Sequence, residues 1–167
     1  MKKASIKNIL DAQYPSPVAV VVSLDRALNR PNITAQGWFM FTSFLPPMLA
    51  ISIANSHHSC AAIRETGEFV LALPNPKQAD AVYFCGTKSG RTHDKFKESG
   101  FTPLPASKVK PPLIADACAN FGCKVVATAQ TGDHTLFVGE VVEGYVAENS
   151  RARLFATSEG KFVGHED

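Results

Sequence analysis

The residues best suited to chemistry lie in one short run, Cys85 to Phe96, with the sequence CGTKSGRTHDKF. A Ser-Gly-Arg turn, with Ser89 and Arg91 at its ends, precedes a short predicted helix that carries Lys95. The backbone N–H groups of a glycine turn, a helix N-terminus and two fixed cations suit a doubly charged anion such as a phosphate monoester. The alternative is a solvated turn and a surface helix, whose exposed ion pairs contribute little.

A second candidate segment, NSHHS, contributes Ser56, His57 and Ser59 between a predicted strand and a predicted helix. Small hydroxyl residues at a helix start leave backbone N–H groups free to meet an anion. The alternative is an ordinary N-cap that contacts no ligand. The anion interpretation is favoured if this segment and the Ser-Gly-Arg turn converge on one phosphate. His57 and His58 are adjacent and face opposite ways in extended chain, so we predict no metal site.

The elements that must position these residues are mostly strands. We predict strands at Pro17–Leu24, Ile33–Phe41, Met48–Ala54 and Glu68–Leu73, a break at Ser43–Pro47, and two long strands within Cys118–Ala147 joined by a hairpin at Thr131–His134. We predict helices at Ser59–Thr66 with a Gly67 cap, from the Asn75 N-cap to Cys85 with a stop at Gly86, and at His93–Ser99 with a stop at Gly100. Strands with short helices inserted mid-chain are typical of an antiparallel barrel and not of a βαβ fold.

Length and composition narrow the class of protein. The 167 residues predict one domain (1–167), with a core at about 15–147 and a tail, 148–167, that is mobile or packs on a partner. The net charge is only +2 and the sequence has no block of like charges, so we do not expect the protein to bind nucleic acid. The sequence has no signal-peptide pattern and no long apolar run, so we expect a cytoplasmic chain with no membrane span and with free cysteines. The 19% of charged residues hints at a subunit interface.

Three stretches resemble the flavin reductase-like proteins, FMN-binding split β-barrels that include the flavoredoxins and the NAD(P)H:flavin oxidoreductases. The first is the run above, similar to the family's CGT-x-SGR-x-x-DKF. The second is NITAQGWFMFTSFLPP, Asn32 to Pro47, similar to N-x-x-T-A-G-W-x-x-x-x-S-F-x-P-P. The third is GDHTLFVGEV, Gly132 to Val141, similar to GDH-x-x-F-x-G-E-V.

The resemblance implies a fold and a site. The fold would be mainly β, a Greek-key type split β-barrel with short inserted α-helices, forming a homodimer with FMN near the interface. The residues it implies for FMN binding are Thr34, Ala35, Gln36, Gly37, Trp38, Ser43 and Phe44 around the ring, and Ser56, His57, Ser59, Ser89, Arg91 and Lys95 around the phosphate. Counted back from Gly37, Thr34 and Ala35 sit one place early, so the family's Thr contact is lost or comes from Thr34.

The resemblance also implies a function. His134 would lie on the open face of the flavin, where a nicotinamide arrives; the alternative is a turn histidine bonded to backbone. The chain would be an FMN-dependent oxidoreductase that passes a hydride from NADH or NADPH to FMN and on to a small molecule or redox protein. Two alternatives stay open: a non-enzymatic FMN electron carrier of the flavoredoxin kind, and a binding module or pyridoxamine phosphate oxidase-like relative.

Overall fold

The computed structural model describes residues 1–148 and 152–165, which are mainly β. The strands are β1 (Ser16–Pro17), β2 (Ala19–Asp25), β3 (Arg30–Gln36), β4 (Phe39–Phe44), β5 (Pro47–Ala54), β6 (Glu68–Leu73), β7 (Pro103–Leu104), β8 (Leu113–Ile114), β9 (Ala119–Thr131), β10 (His134–Val146), β11 (Arg153–Ser158) and β12 (Lys161–His165). The helices are α1 (Ile6–Asp11), α2 (His58–Thr66), α3 (Ala79–Thr87) and α4 (Lys95–Ser99), with a 3-10 turn at Pro76–Gln78. The α1 helix was not predicted. Among the described residues, no helix is long and apolar enough to cross a membrane.

Seven strands form one antiparallel sheet in the order β3-β2-β6-β9-β10-β5-β4. At ~4.8 Å between neighbours, its two edges would be roughly 29 Å apart if the sheet were flat. The edge strands β3 and β4 are joined only by Gly37 and Trp38, which span about 11 Å at most from Gln36 to Phe39. The sheet therefore curls until its edges meet at this connection, where the Ser52 N–H also donates to the Trp38 carbonyl (3.0 Å).

Both faces of the curled sheet are apolar, which explains the unbroken valine run in β2. Val20 and Val22 pack in one core with Val82 and Phe96 from the inserted helices, whereas Val21 packs in the other core with the α2 side of the sheet. Alternate residues of a strand point to opposite faces, so a strand with a core on each face has no polar positions to alternate.

The helix predictions hold with changes at two helix ends: α4 begins at Lys95 rather than at His93, and α3 ends later than predicted. Gly67 and Gly100 end α2 and α4 in the left-handed conformation, as predicted. The stop at Gly86 was wrong, because α3 continues to Thr87 and the Lys88 N–H still donates to the Phe84 carbonyl. Gly86 instead permits close packing, since a Cβ there would lie 3.1 Å from the Cβ of Ala35 on β3.

Two strand predictions need correction. The extended run predicted at Ile33–Phe41 is divided at Gly37 into β3 and β4, because the chain crosses there from one sheet edge to the other. The break predicted at Ser43–Pro47 is confined to Leu45 and Pro46, so Ser43 and Phe44 belong to β4 and pair with β5. The long β9–β10 hairpin forms as predicted, with Gly132 at positive φ in its turn.

Residues 152–165 of the predicted tail form regular structure that packs on the same chain, so the expectation of a mobile segment is wrong for them. β11 and β12 form a hairpin that pairs with β1 of the same chain, in the order β1-β11-β12. Leu154 is buried in the core. At the hairpin turn, a Cβ at Gly160 would lie 2.9 Å from the Tyr83 ring, so β11 and β12 dock closely on α3. Residues 149–151 and 166–167, also in the predicted tail, lie outside the described residues.

Candidate functional site

Two adjoining cavities lie where the β3–β4 connection meets the inserted helices. The first, of about 350 Å³, is called the ring cavity here, and its walls include Gln36, Gly37, Trp38 and His134. The second, of about 270 Å³, is called the basic cavity, and its walls include Ser56, Ser59, Ser89, Arg91 and Lys95. His57 and Gly86 line both cavities, so the two form one elongated cleft. The ring cavity is near the lower end of the size range typical of ligand pockets, and the basic cavity is just below it.

Lys95 is a buried cation at the base of the basic cavity. Its Nζ donates to the carbonyls of Ile33 and Cys85, each at 2.7 Å, which ties α4 to β3 and α3. An ammonium group has three donors, so one remains for a ligand in the cavity. Burial lowers the pKa of Lys95, although the nearby Cys85 thiol opposes this effect. An anion bound beside Lys95 would therefore offset the cost of burying its charge.

The Ser-Gly-Arg turn forms the outer wall of the basic cavity and is held from both sides. Arg30, at the start of β3, donates from Nη2 to the Gly90 carbonyl at 2.8 Å. Arg91 is exposed and donates from Nη1 to the Ser56 carbonyl at 3.3 Å, which links the turn to the loop before α2. The two predicted anion segments therefore do converge in one cavity.

A buried amide lies behind the turn. Asn32 donates from Nδ2 to Ser59 Oγ at 2.8 Å, while its Oδ1 is buried without a hydrogen-bond partner among the described residues. Gly90 packs against this amide so closely that a Cβ there would lie 2.0 Å from Asn32 Oδ1. A buried acceptor without a partner costs about 1–3 kcal/mol, so Asn32 Oδ1 is an unsatisfied polar atom behind the wall of the basic cavity.

One edge of the ring cavity is formed by the backbone of the β3–β4 connection, which the Gln36 side chain holds in place. Gln36 is buried and donates from Nε2 to the carbonyls of Trp38 (2.7 Å) and Ser52 (2.8 Å), which fixes the connection between β3 and β4. The Trp38 and His134 rings lie 4.8 Å apart at 38° to one another. His134 Nδ1 and Asp133 Oδ1 are 2.7 Å apart, and the pKa of Asp133 is lowered mainly by this hydrogen bond.

A hydrogen-bonded cluster around Asn55 joins the two cavities. Its Oδ1 accepts from the Thr135 hydroxyl (2.6 Å) and from Arg64 Nη2 (3.2 Å), and its backbone N–H donates to the Asp133 carbonyl (2.8 Å). Asn55 therefore fixes the hairpin that carries His134 relative to the loop that carries Ser56. A displacement of this loop would be transmitted to both cavities.

His57 stands at the junction of the cavities and is surrounded by cations. Its pKa is lowered by partial burial in the cleft and by the charges of Lys95, His134 and Arg91. The neutral form is therefore favoured while the cleft holds no anion, because each neighbouring positive charge disfavours protonation.

The cleft brings together most of the predicted site residues. Ala35, Gln36, Gly37, Trp38, His57 and His134 line the ring cavity, and Thr34, Ser56, His57, Ser59, Ser89, Arg91 and Lys95 line the basic cavity. Thr34 lines the basic cavity, whereas its neighbour Ala35 lines the ring cavity. Ser43 and Phe44 line neither cavity, because they lie at the far end of β4, and Phe44 is fully exposed.

Other residues of the ring cavity were missed by the sequence analysis. Tyr14 and the β11–β12 turn, Ser158 to Gly160, complete its wall. The sequence Ser-Glu-Gly-Lys, between two short runs of apolar residues, was a usable hairpin signal, and Gly160 indeed has positive φ. Among the described residues, no cluster of His, Cys, Asp and Glu could hold a metal ion.

Comparison with known proteins defines the class. Residues 11–163 match the flavin reductase like domain, so the chain belongs to the flavin reductase-like family. A protein of Archaeoglobus fulgidus is 36% identical over 140 residues, which are 84% of this chain and 77% of that protein. An NADH:riboflavin 5'-phosphate oxidoreductase of Streptomyces pristinaespiralis is 30% identical over 132 residues, covering 79% and 72% of the two chains.

The fold is that of the FMN-binding split barrels. The chain superimposes on the flavoredoxin of Methanosarcina acetivorans with a TM-score of 0.84 and 25% identity, over 100% of this chain and 93% of that one. The predicted family and the predicted fold class, a mainly β split barrel with short inserted helices, are therefore confirmed.

Proposed function

We propose that the chain is an FMN-dependent oxidoreductase that takes a hydride from NADH or NADPH and passes electrons to a further acceptor. FMN would supply the redox chemistry, and the protein would bind it, orient it and control access to it. The observation that carries the proposal is the cleft itself, in which a basic cavity and a ring cavity adjoin at His57. That arrangement suits a ligand with a dianionic end and a planar end.

The residues present fit the phosphate end of FMN. Lys95 and Arg91 supply two cations, and the Ser56, Ser59 and Ser89 hydroxyls line the same cavity. The unpartnered Asn32 Oδ1 suits a hydroxyl donor such as those of a ribityl chain. Charge-assisted hydrogen bonds to phosphate are stronger than neutral ones, so most of the binding selectivity would arise here.

The ring cavity suits a flat heteroaromatic group. The peptide groups from Ala35 to Trp38 lie at its edge and are held by Gln36, so they can present backbone donors and acceptors in fixed positions. His134, packed beside Trp38, would order an incoming nicotinamide. Tyr14 and the β11–β12 turn would limit water access to the ring.

A second subunit is part of the proposal. The β4–β5 hairpin exposes four large apolar side chains along β4 and at its tip, Met40, Phe41, Phe44 and Leu45. Because this tip contains two residues implied by the family resemblance but absent from the cleft of the same chain, Ser43 and Phe44, we propose that it contributes to the flavin site in a homodimer. Light scattering of the purified protein tests this, and a monomer that binds FMN tightly would contradict it.

The experiment that tests the function starts with an absorbance spectrum and the mass of any released chromophore. Bands at about 375 and 450 nm are expected for bound FMN. The protein is then mixed anaerobically with NADH or NADPH, and loss of the 450 nm band within seconds is expected. Bound FMN that no nicotinamide reduces would instead support an electron carrier. A colourless protein that does not bind added FMN would refute both.

A further inference from the structure

A histidine–carboxylate pair in the wall of the basic cavity has no role in the function proposed above. His58, the first residue of α2, lines the cavity together with Ser89, Arg91 and Lys95. Its Nε2 lies 2.5 Å from Asp25 Oδ2, at the end of β2. The pair therefore connects the cavity wall with the β2–β3 turn.

Asp25 is built to remain a carboxylate. It is buried, and its Oδ1 accepts from the Leu28 N–H at 2.9 Å. Burial by itself would raise the pKa of Asp25, but the hydrogen bonds from Leu28 and His58, together with the charge of His58, lower it overall. An ionised carboxylate can only accept hydrogen bonds, so His58 must donate from Nε2.

The tautomer of His58 follows from this contact. Since Nε2 donates to Asp25, Nδ1 is the ring nitrogen that can respond to a ligand. The ring edge is packed against the Ser-Gly-Arg turn, because a Cβ at Gly90 would lie 3.0 Å from His58 Cδ2. Nε2 and Cδ2 are neighbouring ring atoms, so the carboxylate and the turn hold one edge of the ring, which limits its orientation and leaves Nδ1 on the opposite edge.

We propose that His58, oriented by Asp25, is a further ligand of the phosphate and sets the preference of the cleft for the phosphorylated flavin over riboflavin. The inference rests on the proposed function. A phosphate dianion in the basic cavity would favour a protonated Nδ1, which would donate a charge-assisted hydrogen bond to it. Asp25 acts through His58 as a positioning residue and balances the charge of its ring.

The other charged and titratable groups around the cavity have different roles. His57, Lys88, Arg91 and Lys95 line it from the α2 and α3–α4 sides, and they would contribute positive charge without a carboxylate partner of this kind. Within the described residues, no ion pair joins any of these four side chains to an acid, whereas His58 is held by a buried carboxylate. His58 is thus the cavity histidine with a fixed orientation.

Two isosteric substitutions separate the structural contact from the ligand contact. In His58→Gln the side-chain amide can reach the position of Nε2 and keep the bond to Asp25, but it offers no group at the position of Nδ1. In His58→Asn the amide can occupy the position of Nδ1, while the bond to Asp25 is lost. The same substitution at His93, His93→Gln, is the control, because His93 pairs with Glu98 at 2.7 Å and lines neither cavity.

The test measures dissociation constants of FMN and riboflavin, by flavin fluorescence, for flavin-free wild-type protein and each variant. His58→Gln is expected to weaken FMN binding about tenfold or more while riboflavin changes less than about twofold, since a charge-assisted hydrogen bond is lost. Asp25→Asn is expected to lower the preference for FMN in the same direction, by about threefold or more. His93→Gln is expected to change neither constant.

The outcomes distinguish this inference from the proposed function. If His58→Gln binds both flavins like the wild type, or loses both equally, the histidine is only a structural brace and the inference is overturned. If Arg91→Ala loses the preference for FMN and His58→Gln keeps it, the phosphate site stands without His58. If the wild type does not prefer FMN to riboflavin at all, the proposed function itself is refuted.

Discussion

The Ser-Gly-Arg turn gives the most direct test of the site, through the substitution Gly90→Ala. A Cβ at Gly90 would lie 2.0 Å from Asn32 Oδ1 and 2.6 Å from Asn32 Cγ. The amide cannot simply swing away, because it donates to Ser59 Oγ at 2.8 Å in a buried setting. Either that hydrogen bond breaks, or the turn moves outward and loses the bond from Arg30 to its carbonyl.

The size of the effect follows from these contacts. Overpacking of a filled site costs about 1–3 kcal/mol. The loss of one buried hydrogen bond adds about 1 kcal/mol. We therefore expect Gly90→Ala to lower the free energy of unfolding by about 2–4 kcal/mol. Because the displaced groups line the basic cavity, FMN affinity should fall at least about tenfold as well.

The assay is urea unfolding of the flavin-free protein, followed by fluorescence titration with FMN. Gly144→Ala is the matched control, because a Cβ there meets only the Asn120 carbonyl oxygen, at an ordinary 3.8 Å, and lines neither cavity. This control should change the free energy of unfolding by less than about 1 kcal/mol, in the stabilising direction, because glycine inside a strand is less favourable than alanine. A Gly90→Ala protein as stable as the control, with FMN affinity like that of the wild type, would refute the packing argument.

Three further predictions concern single side chains. Lys95→Met should weaken FMN binding. It should also remove a rise in apo-protein stability between the lowered pKa of Lys95 and pH 10.5, because in that range the unfolded chain binds more protons than the folded one. Thermal unfolding across this pH range measures the second effect. His57→Gln should reduce the loss of apo-protein stability as the pH falls from 6.5 to the lowered pKa of folded His57, because only the unfolded chain takes up that proton in this range. If stability depends on pH as steeply in the variant as in the wild type, the lowered pKa of His57 is contradicted. His134→Ala should raise the KM for the nicotinamide in stopped-flow reduction, while FMN affinity changes less than about threefold. A loss of FMN affinity without a change in KM would show that His134 binds the flavin rather than the nicotinamide.

The local elements were predictable because their signals are short-range. Gly67 and Gly100 end helices in the left-handed conformation that glycine adopts without strain, and Gly132 forms the turn of the long hairpin. The two anion segments could also be found, because hydroxyl residues, cations and glycine at a helix start suit an anion and lie within a few positions of one another. Gly86 misled the helix prediction, because its role is close approach to Ala35 rather than termination.

The residues that complete the cleft were not predictable, because distant parts of the chain meet there. Tyr14 and the β11–β12 turn reach the ring cavity only because β1 pairs with β11. The unpartnered Asn32 Oδ1 and the pairing of His58 with Asp25 likewise depend on side chains more than 20 residues apart. Sequence spacing carries no record of such contacts.

The sequence by itself determined the family, the dominance of strands and the residue types that line the basic cavity. Its repeating patterns report which residues face a core, and its motifs report chemistry, because both depend on neighbours within a few positions. The tertiary structure decided that the sheet curls at Gly37 and Trp38 until the basic cavity and the ring cavity adjoin at His57. It also decided which side chains remain open to a ligand, since the contacts of Lys95 and Asn32 exist only after the strands and helices have packed together.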